Sequence, residues 1–471
     1  MRKTKIICTL GPAVDDKETL KKLLLKGVNA VRLNFSHGTH ETHRAMLNKF
    51  KEVRDELGLP VATILDTKGP EIRIRTFSKG SAELVAGALF IITTENVLGD
   101  ENKVSTTYEN LHNELKSGDK ILIDDGLIEL KVQTVNNRDI ICRVENGGVL
   151  TNHKSINIPN VNIQFPDISK EDEEDIRFAV ENDMDFIAAS FIRNKAGVLA
   201  VRNVLKKYGG EDIKIISKIE NREGVNNLEE IIEFSDAIMV ARGDLGVEIP
   251  AWEVPVLQKK MIKDCIRIGK PVIVATQMLD SMIKNPRPTR AEISDVANAV
   301  YDGASSVMLS GETAAGKYPL ESVTTMDKTV RTAEGSIHYW KRFKDSTIDR
   351  ETTITNAISH ACCMTAMDLG ASAIITITTS GHTAKMVSRF RPQCPIIAIA
   401  VSEKVRRQLA ISWGVTPEAG HGLKSTDALL EDGVKIALDT KIVKQGDTVV
   451  LTAGLPGGVS GTTNLIKAQQ I

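Results

Sequence analysis

One recurrence constrains this chain more than any other feature. Short apolar runs that end in polar or glycine residues return eight times, at Lys5–Leu10, Ala30–Asn34, Val61–Asp66, Asp185–Ser190, Ile213–Ile219, Ala237–Ala241, Pro271–Thr276 and Ser306–Ser310. Helical patterns such as Lys17–Lys26 and His43–Leu57 lie between them. This is the signature of βα units with buried parallel strands. Eight such units predict a (β/α)₈ TIM barrel.

One connection breaks the rhythm. About a hundred residues separate the third run from the fourth, far more than an ordinary βα loop. Within them, strand-like stretches at Ala88–Thr93, Lys120–Ile123, Leu127–Val135 and Ile140–Val144 are punctuated by Ser-Gly-Asp, Asp-Asp-Gly and Asn-Gly-Gly, which marks turns. The segment reads as a small β-barrel lid domain inserted in a loop on the barrel's C-terminal face, where it overhangs any site there. After a linker near Tyr339–Arg350, a helix at Thr352–Leu369 precedes strands at Ala373–Thr378, Pro395–Val401 and Thr448–Thr452, a pattern for a separate open α/β domain. The predicted division is a barrel over 1–69 and 167–340, a lid over 70–166 and a C-terminal α/β domain over 341–471.

Composition narrows the function classes. A formal net charge of −1 gives no electrostatic reason for nucleic acid or an anionic membrane to be the main partner. Cysteines at 8, 142, 265, 362, 363 and 394 form no CxxC pair and no zinc spacing, which fits reduced thiols in a cytoplasm. No apolar stretch approaches bilayer length.

The polar residues cluster where barrel enzymes carry their sites, at the C-terminal ends of strands. Lys218 and Glu220 are two residues apart on a strand and project to one side. Taken alone they could be a structural ion pair. Arg32, Asn34 and Ser36 share a face at the second strand's end; Asp66, Thr67 and Arg73 follow the third, Gly243 and Asp244 the sixth, and Thr276 the seventh. In a closed barrel these distant residues must meet at one mouth, and their convergence is more specific than any part. Glu220 and Asp244, on successive strands, suit Mg²⁺ or Mn²⁺, which prefer oxygen ligands and retain water. The basic residues around them suit an anionic substrate and phosphoryl transfer. Gly311-Glu-Thr-Ala-Ala-Gly-Lys-Tyr318 nearly spells a P-loop, but Tyr318 stands where a metal-binding hydroxyl belongs.

Seven motifs carry a resemblance: Ile-Ile-Cys-Thr-Leu-Gly-Pro at 6–12, Arg-Leu-Asn-Phe-Ser-His-Gly at 32–38, Asp-Thr-Lys-Gly-Pro-Glu-Ile-Arg at 66–73, Ser-Lys-Ile-Glu-Asn at 217–221, Met-Val-Ala-Arg-Gly-Asp-Leu-Gly at 239–246, Ala-Thr-Gln-Met-Leu at 275–279 and Leu-Ser-Gly-Glu-Thr-Ala at 309–314. In order and over essentially the whole chain, they resemble the pyruvate kinase family, in its bacterial form without an added phosphohistidine-type domain. The resemblance implies phosphoryl transfer from phosphoenolpyruvate to ADP, giving pyruvate and ATP, the last step of glycolysis. It implies that Lys218 and Arg32 stabilise the phosphoryl group, that Glu220 and Asp244 hold Mg²⁺, and that the amides of Gly243 and Asp244 receive the substrate carboxylate. Thr276 is placed near the enolpyruvate methylene, in a proton relay through water. On this reading the closeness of Lys218 and Glu220 need not be a salt bridge.

The same resemblance assigns Asn34, Ser36, Asp66 and Thr67 to a K⁺ site, with Ile74 departing from the pattern of the potassium-requiring branch. Pro12, Asn34, His37, Arg73 and Lys154 match nucleotide contacts, while Thr42 replaces an aromatic residue. In the last domain Thr378, Thr379, Ser380, Gly381 and Thr383 run from a strand end into a helix, an arrangement able to cradle a phosphate or to be an ordinary capped turn. The family places a phosphorylated small-molecule effector there, with Gly454–Gly461 closing over it, and assembles as a homotetramer. Two other readings stay open on the residues alone: a metal-dependent barrel aldolase acting on a pyruvate enolate, and a non-catalytic phosphometabolite sensor.

Overall fold

The computed structural model describes residues 1–161, 163–345, 352–422, 425–454 and 461–471. Eight parallel strands close into a barrel: Lys5–Thr9, Ala30–Asn34, Ala62–Asp66, Phe186–Ala189, Lys214–Ile219, Ala237–Ala241, Val272–Ala275 and Ser306–Leu309. Each pairs with its sequence neighbour, and Lys5 opposite Ser306 closes the ring.

Side-chain parity sorts the two cores. Ile7, Ala30, Ile64, Ala188, Ile216, Met239 and Ile273 fill the barrel's interior, while the alternate residues Val31, Leu65, Ile187, Ile215, Val240 and Val274 pack outward into the core shared with the helices. Arg32, Asp66, Ser190, Lys218 and Glu220 continue the inward rows past the apolar filling. They are therefore delivered to the mouth. The seventh strand stops at Ala275, one residue short of expectation, because Thr276 and Gln277 turn left-handed with φ of 66° and 54°.

The insertion leaves the third strand through Ile72–Arg73, which pairs antiparallel with the returning Ser155–Asn157, Arg73 opposite Ser155. Counting these two strands, the segment expected as a small β barrel forms a seven-stranded mixed sheet with a two-stranded ribbon. Both share one core: Phe90, Ile121, Leu130 and Ile140 from the sheet, Leu84 and Leu150 from the ribbon. Ile74 is fully buried in it.

The last domain is a five-stranded sheet, in the order Val415–Ala419, Ile396–Ala400, Ala373–Thr378, Thr448–Gly454 and Thr463–Gln470, with only the last strand antiparallel. It grips the barrel floor. Arg407 donates from Nε to Asp185 Oδ1 at 2.8 Å, and Asp185 Oδ2 accepts from the amide and hydroxyl of Thr63 at 2.8 and 3.0 Å. Lys5 Nζ reaches Val415 O at 2.6 Å. Residues 346–350 of the expected linker lie outside the described residues. Among the described residues no helix is long and apolar enough to cross a membrane.

Candidate active site

The barrel's mouth holds a buried network of charges. Asp66, 1% exposed, accepts from Arg32 Nε at 2.5 Å on Oδ2 and from Lys218 Nζ at 3.1 Å on Oδ1. Burial would raise this carboxyl, but Arg32 and Lys218 outweigh it and hold Asp66 below the usual carboxylate range. Burial would likewise depress Lys218, and Asp66, Glu220 and Asp244 together keep its ammonium well above the ordinary lysine value. Lys218 is thus a fixed positive charge.

Glu220 is not comfortably placed. It is fully buried, and its Oε2 accepts from the Phe191 amide at 2.5 Å. Lys218 Nζ lies 2.9 Å from Oε1, an ion-pair contact that is this buried oxygen's one polar partner among the described residues, whereas the Asp66 carboxylate has two cations, Lys218 and Arg32. The pair, whose closeness need not have been a salt bridge, is in ion-pair contact, because both side chains descend the same inward row. Burial pushes the Glu220 carboxyl up, and Asp244 adds to the shift against the pull of Lys218. A buried carboxylate beside a second carboxylate fits a hard divalent cation, which prefers oxygen ligands.

The expected monovalent-cation group is also gathered here. Asn34 and Asp66 are register partners, Asn34 Oδ1 accepts the Ser36 amide at 3.3 Å, and Thr67 Oγ1 accepts the Ser190 amide at 3.2 Å. All four residues offer oxygen donors. Arg32 and Lys218 already balance Asp66 and Glu220, so a further cation there would need an anionic ligand beside it.

Thr276 and Gly243 meet across the sixth and seventh strand ends. The Gly243 amide donates to Thr276 Oγ1 at 2.7 Å, and that hydroxyl donates to Ala275 O at 2.6 Å. Of the two amides expected to receive a carboxylate, Gly243's is engaged by Thr276. Asp244 lines a cavity of about 350 Å³ with Glu71, Ser155, Asn157, Phe191, Arg193 and Glu248, between lid and mouth. Asn157 Nδ2 donates to Glu248 Oε1 at 2.9 Å across it.

The nucleotide candidates fall into two places. Arg73 and Lys154 sit on the lid's paired neck, where Arg73 contacts Glu71 at 2.8 Å and Lys154 contacts Asp124 at 2.9 Å. Pro12 opens a short 3₁₀ turn and His37 is exposed after the second strand. Thr42 is bound in a capping box with Thr39, so its hydroxyl serves the helix. The near-P-loop is structural: Glu312, buried, accepts the amides of Leu279 and Ser310 at 3.0 and 2.7 Å.

In the last domain, Thr378 Oγ1 accepts the Gly381 amide at 2.9 Å, and Gly381 has φ of 82° before the helix His382–Ser388. Thr383 shares a 2.8 Å hydroxyl contact with Thr463. Thr379 is exposed and Ser380 half-buried. Of the expected closing loop, 455–460 lie outside the described residues.

Sequence reasoning did not single out Ser190. Its hydroxyl accepts from Lys218 Nζ at 2.8 Å and donates to Thr67 O at 2.6 Å. Its position at the end of an inward row was the available signal. Gly69 allows this approach: it has φ of 70°, and a Cβ there would stand 2.8 Å from Ser190 Cβ.

Comparison with known proteins identifies the family. Residues 1–323 match the family model described as pyruvate kinase, barrel domain, and residues 356–468 match pyruvate kinase, alpha/beta domain. A pyruvate kinase of Clostridium acetobutylicum is 50% identical over the full length of both chains. Those of Bacillus licheniformis and Staphylococcus aureus strain MRSA252 are each 49% identical, over 99% of this chain and 80% of theirs.

Proposed function

The chain belongs to the pyruvate kinase family and is a phosphotransferase of glycolysis, acting on phosphoenolpyruvate and ADP, and from that premise we propose which residues do what. Lys218 and Arg32 carry the phosphoryl group between donor and acceptor. The observation that carries this is the pair of cations converging on one buried carboxylate, Asp66, at 3.1 and 2.5 Å. Asp66 keeps both charges aimed at one point, and positioning with fixed charge is most of what phosphoryl transfer needs.

Glu220 and Asp244 are the residues to hold Mg²⁺ or Mn²⁺; the two neighbouring carboxylates, whose mutual repulsion a divalent cation would relieve, support this. When bound, the divalent ion supplies positive charge to phosphate and enolate oxygens. Asn34, Ser36, Asp66 and Thr67 are the residues to hold K⁺, which supplies further charge beside the phosphate. The carboxylate of phosphoenolpyruvate takes the amides of Gly243 and Asp244. Because Thr276 Oγ1 already occupies the Gly243 amide, the arriving carboxylate releases that hydroxyl, which then relays a proton from water to the enolate methylene. Pro12, Asn34, His37, Arg73 and Lys154 receive ADP. Thr378, Thr379, Ser380, Gly381 and Thr383 receive a phosphorylated effector. The domain division predicted above, a homotetramer and a cytoplasmic setting complete the reading, the last supported by six free, buried cysteines.

The test is ADP-dependent pyruvate formation from phosphoenolpyruvate. Activity should require Mg²⁺ or Mn²⁺ and rise with K⁺. Full activity in chelator would sink the assignment of Glu220 and Asp244, and indifference to K⁺ would sink that of the Asn34 group.

A further inference from the structure

Two adjacent residues with side chains, Thr276 and Gln277, hold positive φ. This conformation persists where its surroundings impose it. Arg242 makes the imposing contacts. Its Nη2 donates to Thr276 O at 2.7 Å and its Nε to Ala275 O at 3.2 Å, so one guanidinium holds both carbonyls at the point where the strand breaks. Asp295, on the helix Arg290–Asp302, fixes the guanidinium from the other side, with Oδ1 2.7 Å from Nη1 and Oδ2 2.7 Å from Nη2. That is the two-pronged geometry only an arginine provides. The Arg242 side chain is 12% exposed. Its chain neighbour Gly243 donates the amide that Thr276 Oγ1 accepts, so clamp, amide and hydroxyl form one closed circuit.

We propose that Arg242, oriented by Asp295, is a positioning residue for the protonation half of the reaction. It holds the backbone of Thr276 so that the hydroxyl keeps its place when the substrate carboxylate takes over the Gly243 amide. This rests on the reading of Thr276 given above. In that step the enolate electron pair forms the new C–H bond with the hydroxyl proton, the hydroxyl takes a proton from water, and the hydroxide left takes a proton from bulk solvent. Arg242 neither gains nor loses one.

The experiment measures exchange of pyruvate methyl protons in heavy water with Mg²⁺ and phosphate, beside ATP-forming turnover and thermal unfolding. Thr276→Ala and Arg242→Lys should each slow exchange by about 100-fold. The double variant should be no slower than the worse single one, because both act on the same hydroxyl. Asp295→Asn, which leaves the guanidinium in place but half-held, should slow exchange less, without a matching fall in unfolding temperature. Losses that multiply in the double variant would overturn the proposal. So would wild-type exchange in Arg242→Lys or, should that variant fail to fold, in Asp295→Asn. Wild-type exchange in Thr276→Ala would overturn the reading of Thr276 and the clamp with it, whereas exchange lost in Thr276→Ala alone overturns only the clamp.

Discussion

The barrel buries carboxylates at both ends, and the two ends treat them differently. At the floor, burial pushes Asp185 upward, yet each of its oxygens has donors: Arg407 on one, the Thr63 amide and hydroxyl on the other. At the mouth burial pushes Glu220 upward too, a second carboxylate, Asp244, pushes it further, and one oxygen meets only the Lys218 ammonium, which Asp66 shares. Direction of shift does not separate them. The company each keeps does: Asp185 has donors on both oxygens and joins two domains, while Glu220 shares its one cation with Asp66 and stands beside a second carboxylate.

Three measurements bear on that contrast. Lys218→Met should lower pyruvate formation by about 1,000-fold while largely sparing exchange of pyruvate methyl protons. Equal loss of both would mean that the mouth's charges are one undivided support, as at the floor. Next, Asp185→Asn should cost about 3 kcal/mol or more in urea unfolding, because Arg407 loses its buried partner, with turnover nearly kept. Glu220→Gln should do the reverse, leaving the unfolding midpoint at or above wild type and weakening apparent Mg²⁺ affinity by at least about tenfold. A stability loss in Glu220→Gln as large as that in Asp185→Asn would erase the distinction.

The third is a pH effect at the floor. Burial, with Arg2 nearby, lowers the Lys5 ammonium to about 7 from 10.5. Below about pH 7 folded and unfolded chains both hold the proton, and the cost of burying it is full. Between 7 and 10.5 the unfolded chain binds more protons, so stability rises with pH, by at most about 1.4 kcal/mol per unit from this group. Urea midpoints at neutral and alkaline pH should show that rise, and Lys5→Met should flatten it. A midpoint that falls instead would mean the floor's lysine is satisfied as a cation.

The barrel and the convergence of Arg32, Asp66, Lys218, Glu220 and Asp244 were legible because a period of two and eight strand ends leave few alternatives. Ser190 was legible in principle, lying on the same row as Ala188. What could not be read were contacts made by backbone groups and by residues distant in sequence. The Phe191 amide on Glu220 and the Arg407–Asp185 bridge arise only once loops and domains pack. The left-handed turn at Thr276 and Gln277 has no composition signal, since neither residue favours it. It ended a strand early and engaged the Gly243 amide, which the resemblance assigns to the substrate carboxylate.

The chain enters and leaves the lid through one antiparallel pair of short strands, with Arg73 opposite Ser155 and the Ile74 amide on Lys154 O at 2.9 Å, and the lid touches the barrel again where Asn157 donates to Glu248. Such a neck is a splice point. A lineage could gain or shed everything beyond it without disturbing a single barrel strand. Because Arg73 lies in the edge strand of that sheet and Lys154 just before its partner strand, an excision that removed the whole sheet would take both cations with it.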